Sequence, residues 1–132
     1  MINRDELLKQ IKNESIGTIS ELSSPEERFQ NQTLRPILKF QNDLLIAVFV
    51  KYCTKQKSTF FKLSVIKKLE YIEQNIQRDM KFRDFLKGII IGLFDSEEFA
   101  TYSQNESNLN KRLISMLIER LKSQIQIIEV SI

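Results

Sequence analysis

Residues 24–52 read SPEERFQNQTLRPILKFQNDLLIAVFVKY, and the reading of this stretch decides the fold. Ser24 suits a helix N-cap, Pro25 falls where the first helical turn has no use for its missing donor, and Glu27 stands at the capping-box position. A helix should therefore run from Pro25. Continued unbroken to Tyr52 it would span about 42 Å at 1.5 Å per residue, longer than a compact domain of this chain length is wide. The spacing predicts a change of direction at Pro36, whose ring displaces the carbonyl four residues back, that of Gln32. Alternatively, Thr33 caps a new helix and Pro36 falls in its first turn. Leu34, Leu38, Leu45, Val48 and Tyr52 form one apolar stripe, widened by Ile37, Leu44 and Phe49, as expected of a well-covered central helix. Gln41 falls on that stripe and is a candidate buried amide.

The neighbouring segments repeat the helical theme. Before the opening stretch, Ile2, Leu7, Leu8 and Ile11 mark a short N-terminal helix, and ESIGTISELSS at 14–24 reads as a connector. This gives an organisation of residues 1–24 as helix and connector and 25–132 as the helical domain. After it, STFFKL at 58–63 predicts a turn that inserts Phe60 or Phe61 into the core. Ser64 then caps a helix to about Arg78 with Val65, Leu69, Ile72 and Ile76 inward. Asp79 starts another, directing Phe82, Phe85, Leu86, Ile89, Ile90 and Leu93 to the core. Gly88 and Gly92, one turn apart, suggest close approach of a neighbouring backbone. Asp95 and Glu98 form a capping-box pattern before a short helix with Phe99 and Tyr102. Ser107 or Asn108 opens a terminal helix whose seam is Leu109, Leu113, Met116, Leu117 and Leu121.

Composition agrees with an all-α single domain of five or six helices with a proline-bent central helix. The 132 residues suffice for one hydrophobic core, and 42% hydrophobic with 28% charged residues is ordinary for a folded protein. Three Gly and two Pro leave little material for the tight turns of a sheet protein. The single Cys53 offers no internal disulfide, which points to a reducing compartment such as the cytoplasm. The start MINRDELLKQ is charged where a signal peptide needs an apolar core, and no apolar run approaches the ~20 residues of a membrane span. The chain has no histidine, which removes the usual general base, the common zinc ligand and the Ser-His or Cys-His nucleophile pairs. No cofactor is implied.

Two candidate sites emerge. Around the bend, Arg35, Lys39 and Asn42 lie near a common polar side while Gln41 points inward; the set is either a docking face for a protein partner or a kink satisfied locally, with Lys39 and Asp43 as a surface pair. The second lies in residues 44–69, which hold no acid and carry Lys51, Lys55, Lys57, Lys62, Lys67 and Lys68 interleaved with Tyr52, Phe60 and Phe61. Lysines neutralise phosphates and exposed aromatics stack on bases, so this segment is the candidate for RNA, including a ribosome. Phenylalanines of this kind also serve as core. Cys53, flanked by lysines but without a histidine base, reads as a structural thiol rather than a nucleophile.

The series FQNQTLRPILKFQNDLL at 29–45, YIEQNIQRDMKFRDFLKGIIIG at 71–92 and LNKRLISMLIERLKSQIQ at 109–126 resembles a group of short, all-helical bacterial proteins that carry a glyoxalase label. The resemblance implies an all-helical fold over Phe29 to Gln126 and brings no catalytic residue with it. Glyoxalase I enzymes have a paired β-α-β-β-β metal fold with His and Glu ligands, and glyoxalase II is a histidine-rich metal hydrolase; this chain lacks the histidines and the strand alternation of either. The expected role is thus a small cytoplasmic interaction or adaptor protein. The alternatives are an RNA-binding or ribosome-associated factor and a glyoxalase-like enzyme. A homo-oligomer is compatible with the sequence.

Overall fold

The computed structural model describes residues 3–12, 23–55 and 59–130, and 88% of these are helical, with no strand among them. Helix α1 spans Arg4–Lys12, and α2 spans Pro25–Phe29. Ser24 caps α2 by accepting the Glu27 backbone N–H at 3.1 Å. The helix does not stop there. It passes through a π-helical turn, Gln30–Leu34, and continues as α3, Arg35–Phe40. In the widened turn the N–H of Arg35 bonds the carbonyl of Gln30, five residues back. Pro36 has no N–H to offer, and a π-turn just ahead of it is a physical means of accommodating its ring without ending the helix.

The interruption expected at Pro36 falls instead at Gln41, whose φ of −89° and ψ of 4° separate α3 from α4, Asn42–Lys55. This residue resets the phase of the apolar stripe. Leu34, Ile37, Leu38, Leu45, Phe49 and Tyr52 are buried as expected, but Leu44 is exposed. A single 3₁₀ turn, Phe60–Lys62, inserts Phe60 into the core and leaves Phe61 partly buried.

Three capped helices follow. Ser64 caps α5, Val65–Arg78, and Asp79 caps α6, Met80–Ile91. Asp95 and Glu98 complete a reciprocal capping box for α7, Ser96–Gln104. Inward positions at Ile72, Ile76, Leu86 and Ile90 are fully buried, whereas Val65, Phe85 and Phe99 face solvent. Val65 lies in the first turn of its helix, at the rim of the core. The close approach expected at Gly88 is absent: a Cβ there would meet nothing within 4 Å, and at Gly92 it would meet only the Gly88 carbonyl of its own helix.

The long α8, Glu106–Ser123, packs against α4, α5, α6 and α7 and against the π-turn, and it buries Leu109, Leu113, Leu117 and Leu121 along one stripe. It begins two or three residues earlier than Ser107 or Asn108 as caps would have it, after Asn105, and α9, Ile125–Val130, follows a break at Gln124. Single-residue breaks at Gln41, Asp79, Asn105 and Gln124 thus divide the chain into more helical segments than the five or six expected. Helix α1 lies against α3, burying Leu8 and bonding through Arg4 to the Gly92 carbonyl at 2.7 Å, so residues 4–12 pack on the same body as residues 25–130. Ile2 lies outside the described residues.

Candidate anion-binding groove

The buried leucine stripe of α8 fixes where its polar residues go. Arg112 precedes Leu113 and Arg120 precedes Leu121, so both guanidinium stems leave the helix at the edge of the core rather than on the fully solvated side. Opposite them run α2, the π-turn and α3. The space between is a groove of about 910 Å³, with Glu26, Gln30, Arg35 and Leu38 on one wall. The α8 wall supplies Lys111, Arg112, Met116 and Arg120, with Asn108, Ser115, Glu119 and Ser123 at its margins.

Four cationic side chains and two carboxylates line this groove. Both carboxylates have partners of their own, and Glu26 also feels the charge of Arg112. Glu26 accepts from the Asn105 amide at 2.7 Å, and its own backbone N–H together with that amide holds its carboxyl below the usual carboxylate range. Glu119 lies 3.9 Å from the ammonium of Lys122. The guanidinium groups have only neutral acceptors: Arg112 donates to Gln30 Oε1 at 2.8 Å, and Arg120 to Asn42 Oδ1 at 3.5 Å. Nε of Arg35 is buried and has no hydrogen-bond partner. Burial pushes the Arg120 pKa down, and the nearby positive charge of Arg35 pushes it down further. Among the described residues no carboxylate forms an ion pair with Arg35, Arg112 or Arg120.

Of the residues expected at the bend, Arg35 lines this groove, while Asn42 accepts from Arg120 at its margin and donates to Gln124 Oε1 at 3.2 Å. Gln41 does not join them. It is half-buried, and its amide donates to the Ile89 carbonyl at 3.1 Å, tying the α3–α4 junction to α6. Lys39 is exposed beside Ile11, Pro36 and Phe40, in a separate hollow. The leucine seam of α8 does not by itself single out Arg112 and Arg120; an arginine immediately before a seam leucine, twice at a spacing of eight residues, is the signal that marks them.

The fold leaves the lysines of the basic segment 51–68 in different settings. Lys51, Lys55 and Lys62 are exposed, Lys67 lies 3.4 Å from Glu70, and Lys57 falls outside the described residues. Lys68 is buried with its ammonium 5.8 Å from the Phe60 ring centre, so that its charge faces a ring rather than open solvent. Tyr52 and Phe60 are themselves buried, which withdraws their faces from base stacking. Cys53 is buried, in keeping with a structural thiol.

No protein-family model matches the chain, and comparison with curated proteins and with solved structures found none similar to it.

Proposed function

We propose that this protein is a small helical binding module that docks an acidic segment of another protein in the groove between α3 and α8. The observation that carries this reading is the gathering of Arg35, Arg112 and Arg120 in one groove with no carboxylate paired to them among the described residues. Holding three guanidinium groups together at the core's edge disfavours the free state, and an acidic partner offsets both the repulsion and the partial desolvation. Met116, partly buried on the α8 wall, offers apolar contact to the partner's side chains. A guanidinium stays protonated across the physiological range, so the groove is suited to holding charge rather than to moving protons. The single buried thiol suits a reducing cytoplasm.

An acidic peptide is favoured over RNA because the aromatic faces of the basic segment are buried. The test is a titration of a labelled oligoglutamate and of a single-stranded RNA of equal charge, at about 50 and 200 mM salt. The expected result is oligoglutamate binding that falls at least about tenfold in the Arg112→Gln, Arg120→Gln double variant. Tighter RNA binding, unchanged in that variant but lost on replacing Lys51, Lys55 and Lys62, would overturn the reading. So would turnover of a dicarbonyl substrate by the purified protein.

A further inference from the structure

The groove is not uniformly basic along its length, and its two ends differ in what they are able to hold. At one end Arg112 is occupied by Gln30, and the nearby ionised Glu26 repels an incoming anion. At the other end Arg35 and Arg120 face the same space, close enough for the charge of one to disfavour the charge of the other, and the carboxylate there, Glu119, is offset by the Lys122 ammonium at 3.9 Å. Their protein contacts are meagre. Nε of Arg35 is buried without an acceptor, and the acceptor given to Arg120 is the neutral amide oxygen of Asn42 at a long 3.5 Å. A buried donor without an acceptor is costly, and in a folded protein it is ordinarily satisfied by something.

The valence of that something follows from the two guanidinium groups. A carboxylate carries one charge on one planar pair of oxygens, which balances the charge of a single guanidinium. The second arginine would remain unmatched. A phosphomonoester carries about −1.5 to −2 charge near neutrality and presents three acceptor oxygens in a tetrahedral arrangement, enough for two forks. The hydroxyl of Ser123 lines the same groove but gives its proton to the Arg120 carbonyl at 2.7 Å, so the donors of the seat are the two guanidinium groups.

We propose that Arg35 and Arg120 form a two-guanidinium seat for the phosphoryl group of a phosphoserine or phosphothreonine peptide. This rests on the docking reading above and specifies what the docked segment carries. Arg112 and Lys111 then contact acidic residues flanking the modified one, and Glu26 sets the limit of the anionic stretch at the far end.

The experiment compares three peptides that differ at one position, phosphoserine, glutamate or serine, with inorganic phosphate as the fourth probe, by calorimetric titration against the full chain at pH 7.5 and pH 5.0. The expected result is phosphoserine binding about tenfold or more tighter than glutamate at pH 7.5. That preference shrinks at pH 5.0, because the phosphomonoester takes up a proton near pH 6 while a glutamate remains largely ionised. Arg35→Gln and Arg120→Gln each abolish the preference, and Arg35→Lys and Arg120→Lys, which keep the charge and the fold but lose the fork, reduce it. Lys81→Gln, on the exposed side of α6, leaves it unchanged. Equal binding of the phosphoserine and glutamate peptides would overturn the phosphoryl seat and leave the docking reading standing. Binding of neither would overturn both. Inorganic phosphate binding as tightly as the phosphopeptide would overturn the peptide as carrier and assign the seat to the free ion.

Discussion

The hydroxyl of Thr33 donates to Oε2 of Glu98 at 2.8 Å, joining the π-turn ahead of Pro36 to the first turn of α7. The other oxygen of the same carboxylate accepts the Asp95 backbone N–H at 2.9 Å and the ammonium of Lys12. One side chain thus ties α1, the π-turn and α7 together, and the Lys12–Glu98 pair is largely buried, its side chains 8% and 14% exposed. Removing one partner of such a pair leaves the other charge uncompensated. Glu98→Ala is expected to destabilise the fold by about 3 kcal/mol in urea denaturation, and Lys12→Met by less, because Glu98 keeps its remaining donors.

Tyr52 and Asp79 form a second tie, the phenol donating to Asp79 Oδ2 at 2.7 Å while its ring stacks on Phe82 at 3.8 Å between centres. Burial raises the Tyr52 pKa, helped by Asp79; the Tyr52 hydrogen bond lowers that of Asp79, helped by the Phe82 backbone N–H. For Asp79 the stabilisation is present above its ordinary 3.8 and is lost as pH falls further, through the depressed folded value. For Tyr52 it is present below its ordinary 10.0 and is lost as pH rises beyond that toward the elevated folded value. Tyr52→Phe should lower stability near neutrality by about 1.5 kcal/mol and flatten both limbs of a stability–pH profile.

Gly88 lies inside α6 with open space where a Cβ would be. Gly88→Ala is expected to stabilise the protein by about 1 kcal/mol, seen as a raised denaturation midpoint. At Gly92 the added Cβ would lie 3.0 Å from the Gly88 carbonyl, so the same change there should yield less.

Phe60 is fully buried and meets Phe49 edge to face at 5.3 Å between ring centres, with Phe61 and Tyr71 also against it. Phe60→Ala should cost about 4 kcal/mol by calorimetry. Phe61→Ala, at a half-buried ring, should cost clearly less.

The helix starts were the most legible part of this chain. Ser24, Ser64, Asp79 and Asp95 each cap the helix that their local sequence announces, because a cap is decided by residues within four positions of one another. The leucine seam of α8 was legible for the same reason. The π-turn was not, since its determinant, Pro36, acts on the turn before it, and nothing in QNQTL itself distinguishes a wide turn from an ordinary one. Exposure of Phe85 also escaped the sequence, because an apolar period shows that a face is present and not what covers it. Of the candidate groove, Arg35 was visible beside the proline, with Asn42 as the neighbour that accepts from Arg120. Arg112 and Arg120 come from a helix more than 75 positions downstream, and only tertiary packing brings them opposite Arg35.

The turn at Gln30–Leu34 behaves as a splice of one surplus residue into a helix that is otherwise continuous from Pro25 to Phe40. A regular α-helix advances about 100° per residue, so an uncompensated extra residue would swing everything beyond it by that angle. Widening the turn takes up the surplus, and Phe29 on one side and Leu34, Ile37 and Leu38 on the other all remain in the core. The azimuth of Arg35 is therefore set by this splice: excising one residue would let the turn close in phase, but closing it into regular α form with every residue kept would rotate α3 against α2 by about 100°. The core contacts of one or the other would be lost, and with them the aim of Arg35 across the groove.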